Sequence, residues 1–180
     1  MARTLKEANL QIKVLESKIK ELEELTLDDL TGLPRRKVFK SAVEAEILRC
    51  KRTKKSFSIL VVDLNYLKTV NDTQGHTAGD QMITSFARFL KMNLRDCDIL
   101  ARTGGDEFMV FLPDQNKKGV STVKEHLLQA FEQGVESLPF FRGAAIGSST
   151  FGKKCRTFLE MFNCADKAMY VHKKVMKKRA

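Results

Sequence analysis

Asp106 and Glu107 follow two glycines in the stretch Ile99-Leu100-Ala101-Arg102-Thr103-Gly104-Gly105-Asp106-Glu107-Phe108-Met109-Val110-Phe111-Leu112. Residues without side chains let a ligand or ion come close to the backbone, and carboxylate oxygens suit a hard divalent cation. A polar surface turn has the same composition, so the pair gains meaning only from acids elsewhere. Asp63 is such an acid. It ends the apolar run Phe57-Ser58-Ile59-Leu60-Val61-Val62, and the carboxyl edge of a buried strand is where α/β sheets often place ligands. An acid there can equally cap the next turn. Brought together around divalent ions, Asp63 and Asp106 would grip a chain of phosphates.

Other metal and phosphate devices fail on inspection. Asp63 and Asn65 fit the first and third positions of an EF-hand loop, but Leu67 and Thr69 do not continue it. No Gly-x4-Gly-Lys-Ser/Thr occurs, so phosphates would need backbone amides of a short turn plus separate lysines. Cys50, Cys97, Cys155 and Cys164 have no Cys-x-x-Cys spacing and none lies near His76, His126 or His172 in sequence, which argues against zinc and for reduced thiols. The formal charge of +10 favours an anionic partner. No RNA-binding aromatic signature, zinc finger or recognition helix accompanies it, so no nucleic acid is expected.

These residues must be carried by a fold. Residues 57–62 read as a central strand buried on both faces. The two apolar runs flanking Gly104 and Gly105 read as a β-hairpin, with glycine supplying positive φ at the turn. Helices are expected from about Arg35 to Arg52, with Val38, Phe39, Ala42, Ala45, Ile47 and Leu48 available to the core, and from about Thr77 to Leu94, with Met82, Ile83, Phe86, Phe89 and Leu90 inward. Lys117 to Gln133 is helical and stopped by Gly134. Phe140 to Ser149 is a last strand whose Gly143, Ala144, Ala145 and Gly147 permit close packing. A final helix runs from Thr157 to about Lys177. The order strand–helix–strand–strand–helix–strand is an α+β, ferredoxin-like or nucleotide-cyclase-like arrangement: a mostly antiparallel sheet flanked by helices. It brings Asp63 and Asp106 together if the first and third strands are neighbours.

Ahead of this domain, residues 4–26 carry heptads, with Leu5, Ala8, Ile12, Leu15, Ile19 and Leu22 at a and d, Lys18 at g and Glu23 at e. Ile at a with Leu at d suits a parallel two-stranded coil; a helix packed on its own domain is the alternative. The expected division is a coiled-coil signalling helix over residues 1–27 and a domain over 28–180, with an upstream sensor or receiver region missing from the sequence. No apolar run reaches the roughly eighteen residues of a membrane span, and the charged N-terminus lacks a signal-peptide core. A cytoplasmic location with no membrane contact in this fragment is expected.

Four separated motifs then resemble one family. They are Asp-x-Leu-Thr-Gly-Leu-Pro-x-Arg at 28–36; Asp63 to Asp80 with Lys68, Asn71-Asp72, Gly75-His76 and Gly79-Asp80; Gly104-Gly105-Asp106-Glu107-Phe108; and Ala165-Asp166-x-Ala168-Met169-Tyr170 with Lys173. Together they resemble the GGDEF family, the bacterial diguanylate cyclases, over about Asp28 to Lys177. The resemblance implies that two GTP molecules are joined into cyclic di-GMP with release of two pyrophosphates. It implies two Mg²⁺ or Mn²⁺ ions per site, on Asp63, Asp106, Glu107 and the Leu64 carbonyl. Glu107 is then either a ligand or a helper in deprotonating the attacking hydroxyl. Asn71 and Asp80 would read guanine, although both could simply cap helices. Amides near Asn65, Tyr66 and Leu67 would cradle phosphates, and Lys68, Lys173 and Lys177 would add charge; Lys177 could equally be a solvated surface lysine. Arg95-Asp96-Cys97-Asp98 resembles the family's inhibitory Arg-x-x-Asp site for cyclic di-GMP. A homodimer through the coil would face two GTP sites toward each other. The departures are Asn65 for a common acid, Leu67 for a common phenylalanine, His172 for a small residue, and Met176-Lys177-Lys178 for Gly-Arg-Asn. An alternative is a module that binds GTP or cyclic di-GMP as an effector without turnover.

Overall fold

Period-two alternation along β1 (Ser58–Leu64) divides the hydrophobic residues between two cores. Leu60, Val62 and Leu64 point to one face of the sheet, Ile59 and Val61 to the other. The computed structural model describes residues 10–19, 22 and 26–177, without the Lys177 side chain. The elements are α1 (residues 10–19), α2 (Arg36–Thr53), β1, α3 (Leu67–Gln74), α4 (His76–Met92), β2 (Ile99–Arg102), β3 (Glu107–Leu112), α5 (Lys117–Ser137), β4 (Ala144–Thr150) and α6 (Phe158–Lys177). The strands lie in the order β2-β3-β1-β4 and every adjacent pair is antiparallel. This is the split βαβ order expected from the sequence, with β3 slotted between β1 and β2.

Helices α3, α4 and α5 cover one face. Phe86 is at the centre of that core, stacked on Phe141 at 5.2 Å and edge-on to Phe108 at 5.4 Å. Aromatic pairs of this kind add about 0.5–1.5 kcal/mol beyond burial. Helices α2 and α6 cover the other face. The buried stripe of α2 is Phe39, Val43, Ile47 and Cys50, so its register differs from the expected one. Leu48 falls off the stripe and is 69% exposed, and Ala45 is exposed too. On α6 the sheet-facing stripe runs Phe158, Met161, Ala165 and Met169. A Cβ on Gly147 would lie 2.1 Å from the Ala165 carbonyl oxygen and 2.2 Å from the Met169 nitrogen. Only glycine lets α6 lie this close to β4.

Other local expectations are corrected. Gly134 does not stop α5, which continues to Ser137; its missing side chain makes room for Leu138 and Phe141. The last strand begins at Ala144, because Phe140 (φ 59) and Gly143 (φ 102) kink the chain before it. The α1 residues Leu10, Ile12, Val14, Leu15 and Ile19, and Leu22 beyond them, are all at least 47% exposed, so the stripe is not packed on its own domain. Leu5, Ala8 and Glu23 lie outside the described residues. No helix among the described residues is long and apolar enough to cross a membrane.

Candidate active site

The same periodicities that build the core deliver the site. Ile59 and Val61 place Asp63 next on the α2/α6 face of β1, and Met161, Ala165 and Met169 place Lys173 next on the stripe of α6, one turn on. The Lys173 ammonium lies 2.5 Å from Asp63 Oδ1. Asp63 is only 7% exposed. Its cross-strand partner is Glu107, and the Leu64 amide donates to the Asp106 carbonyl at 2.9 Å. That bond makes Asp63 and Glu107 a non-hydrogen-bonded pair, the closer of the two antiparallel spacings. Burial pushes the Glu107 carboxyl above its ordinary range, and the charges of Asp106, Asp63 and Asp166 push it the same way, against Arg36. Four acids therefore converge on one end of the sheet.

The hairpin tip differs from the expected turn. Neither Gly104 nor Gly105 has positive φ. Gly104 instead leaves room for the Glu107 side chain: a Cβ there would lie 3.0 Å from Glu107 Oε2, whereas one on Gly105 would meet nothing within 4 Å. Thr103 N–H donates to the Glu107 carbonyl at 2.9 Å. Arg102 holds the tip from below, donating to the Gly105 carbonyl at 2.8 Å and to Asp28 Oδ1 at 2.9 Å. Asp28 Oδ1 also accepts from the Thr31 amide at 3.0 Å and hydroxyl at 2.7 Å. The 28–36 motif is thereby fastened to the tip.

Beside the acids is a cleft of about 450 Å³ lined by Leu64, Asn65, Tyr66, Leu67, Lys68, Thr69, Asp106, Arg142, Lys173 and Met176. One wall is the start of α3, a helix the sequence reading did not foresee. Tyr66 precedes it in the left-handed region at φ 64, and no side chain caps the helix. The Leu67, Lys68 and Thr69 N–H groups precede its first intrahelical bond, Val70 N–H to the Tyr66 carbonyl, and such N–H groups favour anions. The Asn65 amide is not part of this set. It donates to the Gly143 carbonyl at 3.0 Å, so the set of amides open to an anion lies two residues on from the expected Asn65, Tyr66 and Leu67. The Asn65 side chain, 6% exposed as a residue, donates through Nδ2 to the Met176 sulfur at 3.7 Å. His172 accepts the Ile146 N–H on Nδ1 at 3.0 Å and so caps the free edge of β4.

The Asn71 side chain packs against Gly79, the residue before Asp80. The Asn71 Oδ1 atom lies where a Gly79 Cβ would be, buried and without a partner, while Asp80 is exposed. A buried oxygen without a partner is costly, and a ligand that drew the amide out would relieve it. Lys177 belongs to α6 by its backbone; its side chain lies outside the described atoms. Arg95 and Asp98 are joined to each other, Arg95 Nη2 to Asp98 Oδ1 at 2.6 Å, and the Asp98 side chain is 1% exposed. Asp98 thus braces Arg95 in this structure. A hollow of about 400 Å³ between α4 and α5 adjoins them. Sequence reasoning missed Arg142 altogether, since the only signal was a basic residue beside a glycine before a strand.

Among the described residues, no three His, Cys, Asp or Glu side chains form a ready metal cage. The donors fit a divalent ion all the same. They are hard oxygens, crowding drives up the proton affinity of Glu107, and an ammonium already balances Asp63. Mg²⁺ with nucleotides is held by one or two carboxylates plus substrate phosphates, so a complete protein cage is not required.

Comparison with known proteins adds to this geometry. The family model described as "Diguanylate cyclase, GGDEF domain" matches residues 25–179. The bifunctional diguanylate cyclase/cyclic di-GMP phosphodiesterase MucR of Pseudomonas aeruginosa is 34% identical over 154 residues, covering 84% of this chain and 22% of that protein. The probable diguanylate cyclase DgcC of Escherichia coli is 28% identical over 163 residues, 86% of this chain and 42% of that one. The chain thus spans less than half the length of these relatives. Among solved structures, the coiled coil and GGDEF domain of DgcB from Caulobacter crescentus, in complex with c-di-GMP, superposes with a TM-score of 0.81 at 22% identity, covering 94% of this chain and 92% of that one, a likeness of fold.

Proposed function

The chain belongs to the GGDEF family of diguanylate cyclases, and from that membership we propose that it condenses two GTP into cyclic di-GMP, releasing two pyrophosphates. Each of two subunits would hold one GTP, with α1 as the coiled-coil seam that pairs them in the cytoplasm. The observation that carries this reading is the convergence of Asp63, Asp106, Glu107 and Lys173 beside the open N-terminus of α3.

Asp63, Asp106 and the Leu64 carbonyl would hold Mg²⁺ or Mn²⁺. Bound there, the ions would neutralise charge as a 3′-hydroxyl attacks an α-phosphate and pyrophosphate leaves. The protein's own part is positioning. The amides of Leu67, Lys68 and Thr69 and the Lys68 ammonium orient the phosphates. Lys173 shields Asp63 until substrate arrives, then is free to follow the charge. Asn71 and Asp80 meet the guanine edge, where a carboxylate accepts from N1–H and N2–H. Glu107 serves as a ligand or receives the hydroxyl proton; its raised proton affinity is compatible with the second role. Arg95, braced by Asp98, would bind product in the hollow beside α4 and inhibit.

The test is incubation with GTP and MgCl₂, followed by chromatography of the nucleotides. Cyclic di-GMP from the wild-type chain and none from Asp106→Ala is the expected result. A dimeric wild-type sample that binds GTP and yields none would refute the cyclase and leave the effector module, which the Asp63–Lys173 pair and the Met176 departure favour. Arg95→Ala should relieve inhibition by added cyclic di-GMP.

A further inference from the structure

We propose that Arg142 is a further substrate-binding residue that grips the outer, β- and γ-phosphates of the nucleotide; this rests on reading the cleft as the GTP site. Its backbone is fixed from both sides. Phe141 before it is 1% exposed and stacked on Phe86. Gly143 after it, at φ 102, accepts a hydrogen bond from the Asn65 amide at 3.0 Å. Residue 142 is thus tied to the first residue of the phosphate turn, while its own side chain is exposed.

Arg142 borders three spaces. One is the 450 Å³ cleft shared with Lys68, Asp106 and Lys173, the second is a hollow of about 310 Å³ shared with Tyr66, Thr69 and Val70, and the third, of about 320 Å³, lies toward α5 with Phe131 and Glu132. Arg142 forms no ion pair with any described residue, whereas Lys173 is committed to Asp63 at 2.5 Å. The reacting α-phosphate must sit with the carboxylates at the sheet end. The outer phosphates then extend toward α3, where Lys68 and the helix amides supply donors from one side and Arg142 from the β4 side. A guanidinium offers two parallel N–H donors to a phosphate, which an ammonium does not.

The experiment measures binding of 3′-deoxy-GTP, GMP and inorganic pyrophosphate, each with MgCl₂, to the wild-type chain, Arg142→Ala and Arg142→Lys. Melting curves check that the variants are folded. Arg142→Ala is expected to weaken 3′-deoxy-GTP and pyrophosphate about tenfold, the scale of one charge-assisted hydrogen bond. GMP should be unaffected, and Arg142→Lys should fall between. In turnover, KM for GTP rises by the same factor and kcat changes less. Wild-type binding of 3′-deoxy-GTP with an equal affinity in Arg142→Ala overturns the assignment, as does an equal loss for GMP. A wild-type chain that binds none of the three overturns the cyclase reading itself, and the assignment with it.

Discussion

Replacing Lys173 with methionine isolates the electrostatics of the site from catalysis. The side chain keeps its reach along α6 but removes the ammonium 2.5 Å from Asp63. Asp63 is left with a carboxylate whose side chain is 9% exposed, while the lysine was 28% exposed. Stripping one partner from a buried pair costs roughly 3–5 kcal/mol. Water reaching the half-open lysine position lowers this to about 2–3 kcal/mol. In a chain of this size each kcal/mol moves the melting temperature by about 2–4 °C, so Lys173→Met should melt about 4–12 °C lower in chelator. Added MgCl₂ should return part of the loss, because a divalent ion takes the place of the ammonium and binds only the folded chain. The wild-type chain should gain less from the same MgCl₂, since there the ion competes with Lys173. Adding Asp63→Asn to Lys173→Met removes the charge that lost its ammonium and should raise the melting temperature again. Differential scanning calorimetry of the three proteins with and without Mg²⁺ reads all six states. Equal melting of wild type and Lys173→Met in chelator would refute the pair's weight, and an equal Mg²⁺ shift in both would refute Asp63 as the ion's ligand.

Two further predictions concern the scaffold. Burial raises the Asp28 pKa, but hydrogen bonds from Thr31 and Arg102 outweigh it and the net shift is downward from 3.8; its contribution to stability is therefore present above that pH and lost as pH falls through the lower folded value. Asp28→Asn should destabilise the fold near neutrality by about 1.5–3 kcal/mol, with the gap to wild type closing in acid denaturation; a gap independent of pH would count against the Arg102 link. Cys155 and Cys164 have their sulfurs 3.0 Å apart, and burial with the Cys164 contact pushes the Cys155 thiol up to about 11. Diamide, which takes up the two hydrogens the thiols lose, should close this pair in preference to Cys50 and Cys97; peptide mapping that finds Cys155 and Cys164 alkylated separately would refute the proximity.

The acids were legible because their placement follows from two periodicities. A strand buried on both faces announces itself, Asp63 is simply its next residue, and the split βαβ order puts the Gly104–Glu107 tip beside it. The Lys173 contact was legible only through the family motif, although the α6 stripe leads to it. What escaped depends on packing between distant segments. The Asn65 amide was expected to bind phosphate, but Gly143, seventy-eight residues later, takes its hydrogen bond. Gly104 and Gly134 read as a turn former and a stop, yet both make room for neighbouring side chains. The α3 helix is only two turns of largely polar chain, too short and too polar to show a period. The α1 stripe is exposed among the described residues, so the fold supplies no partner for the coil read from its heptads.

Two of the departures from the family pattern touch each other, and that contact has a chemical direction. A thioether sulfur is a weak acceptor with no donor. With methionine at 176 a donor at residue 65 is accommodated, and Asn65 Nδ2 donates to the sulfur at 3.7 Å. An aspartate there would turn carboxylate oxygens onto sulfur inside a pocket where the residue is 6% exposed, with its charge unpaired and its desolvation uncompensated. Glycine at 176, as in the family, would remove the sulfur and open that corner to water, so an acid at 65 would be tolerated. Asn65 and Met176 are therefore chemically matched. Their contact closes the corner of the cleft next to Gly143, directly beside Arg142, and it leaves the carboxylates at Asp63, Asp106 and Glu107 untouched.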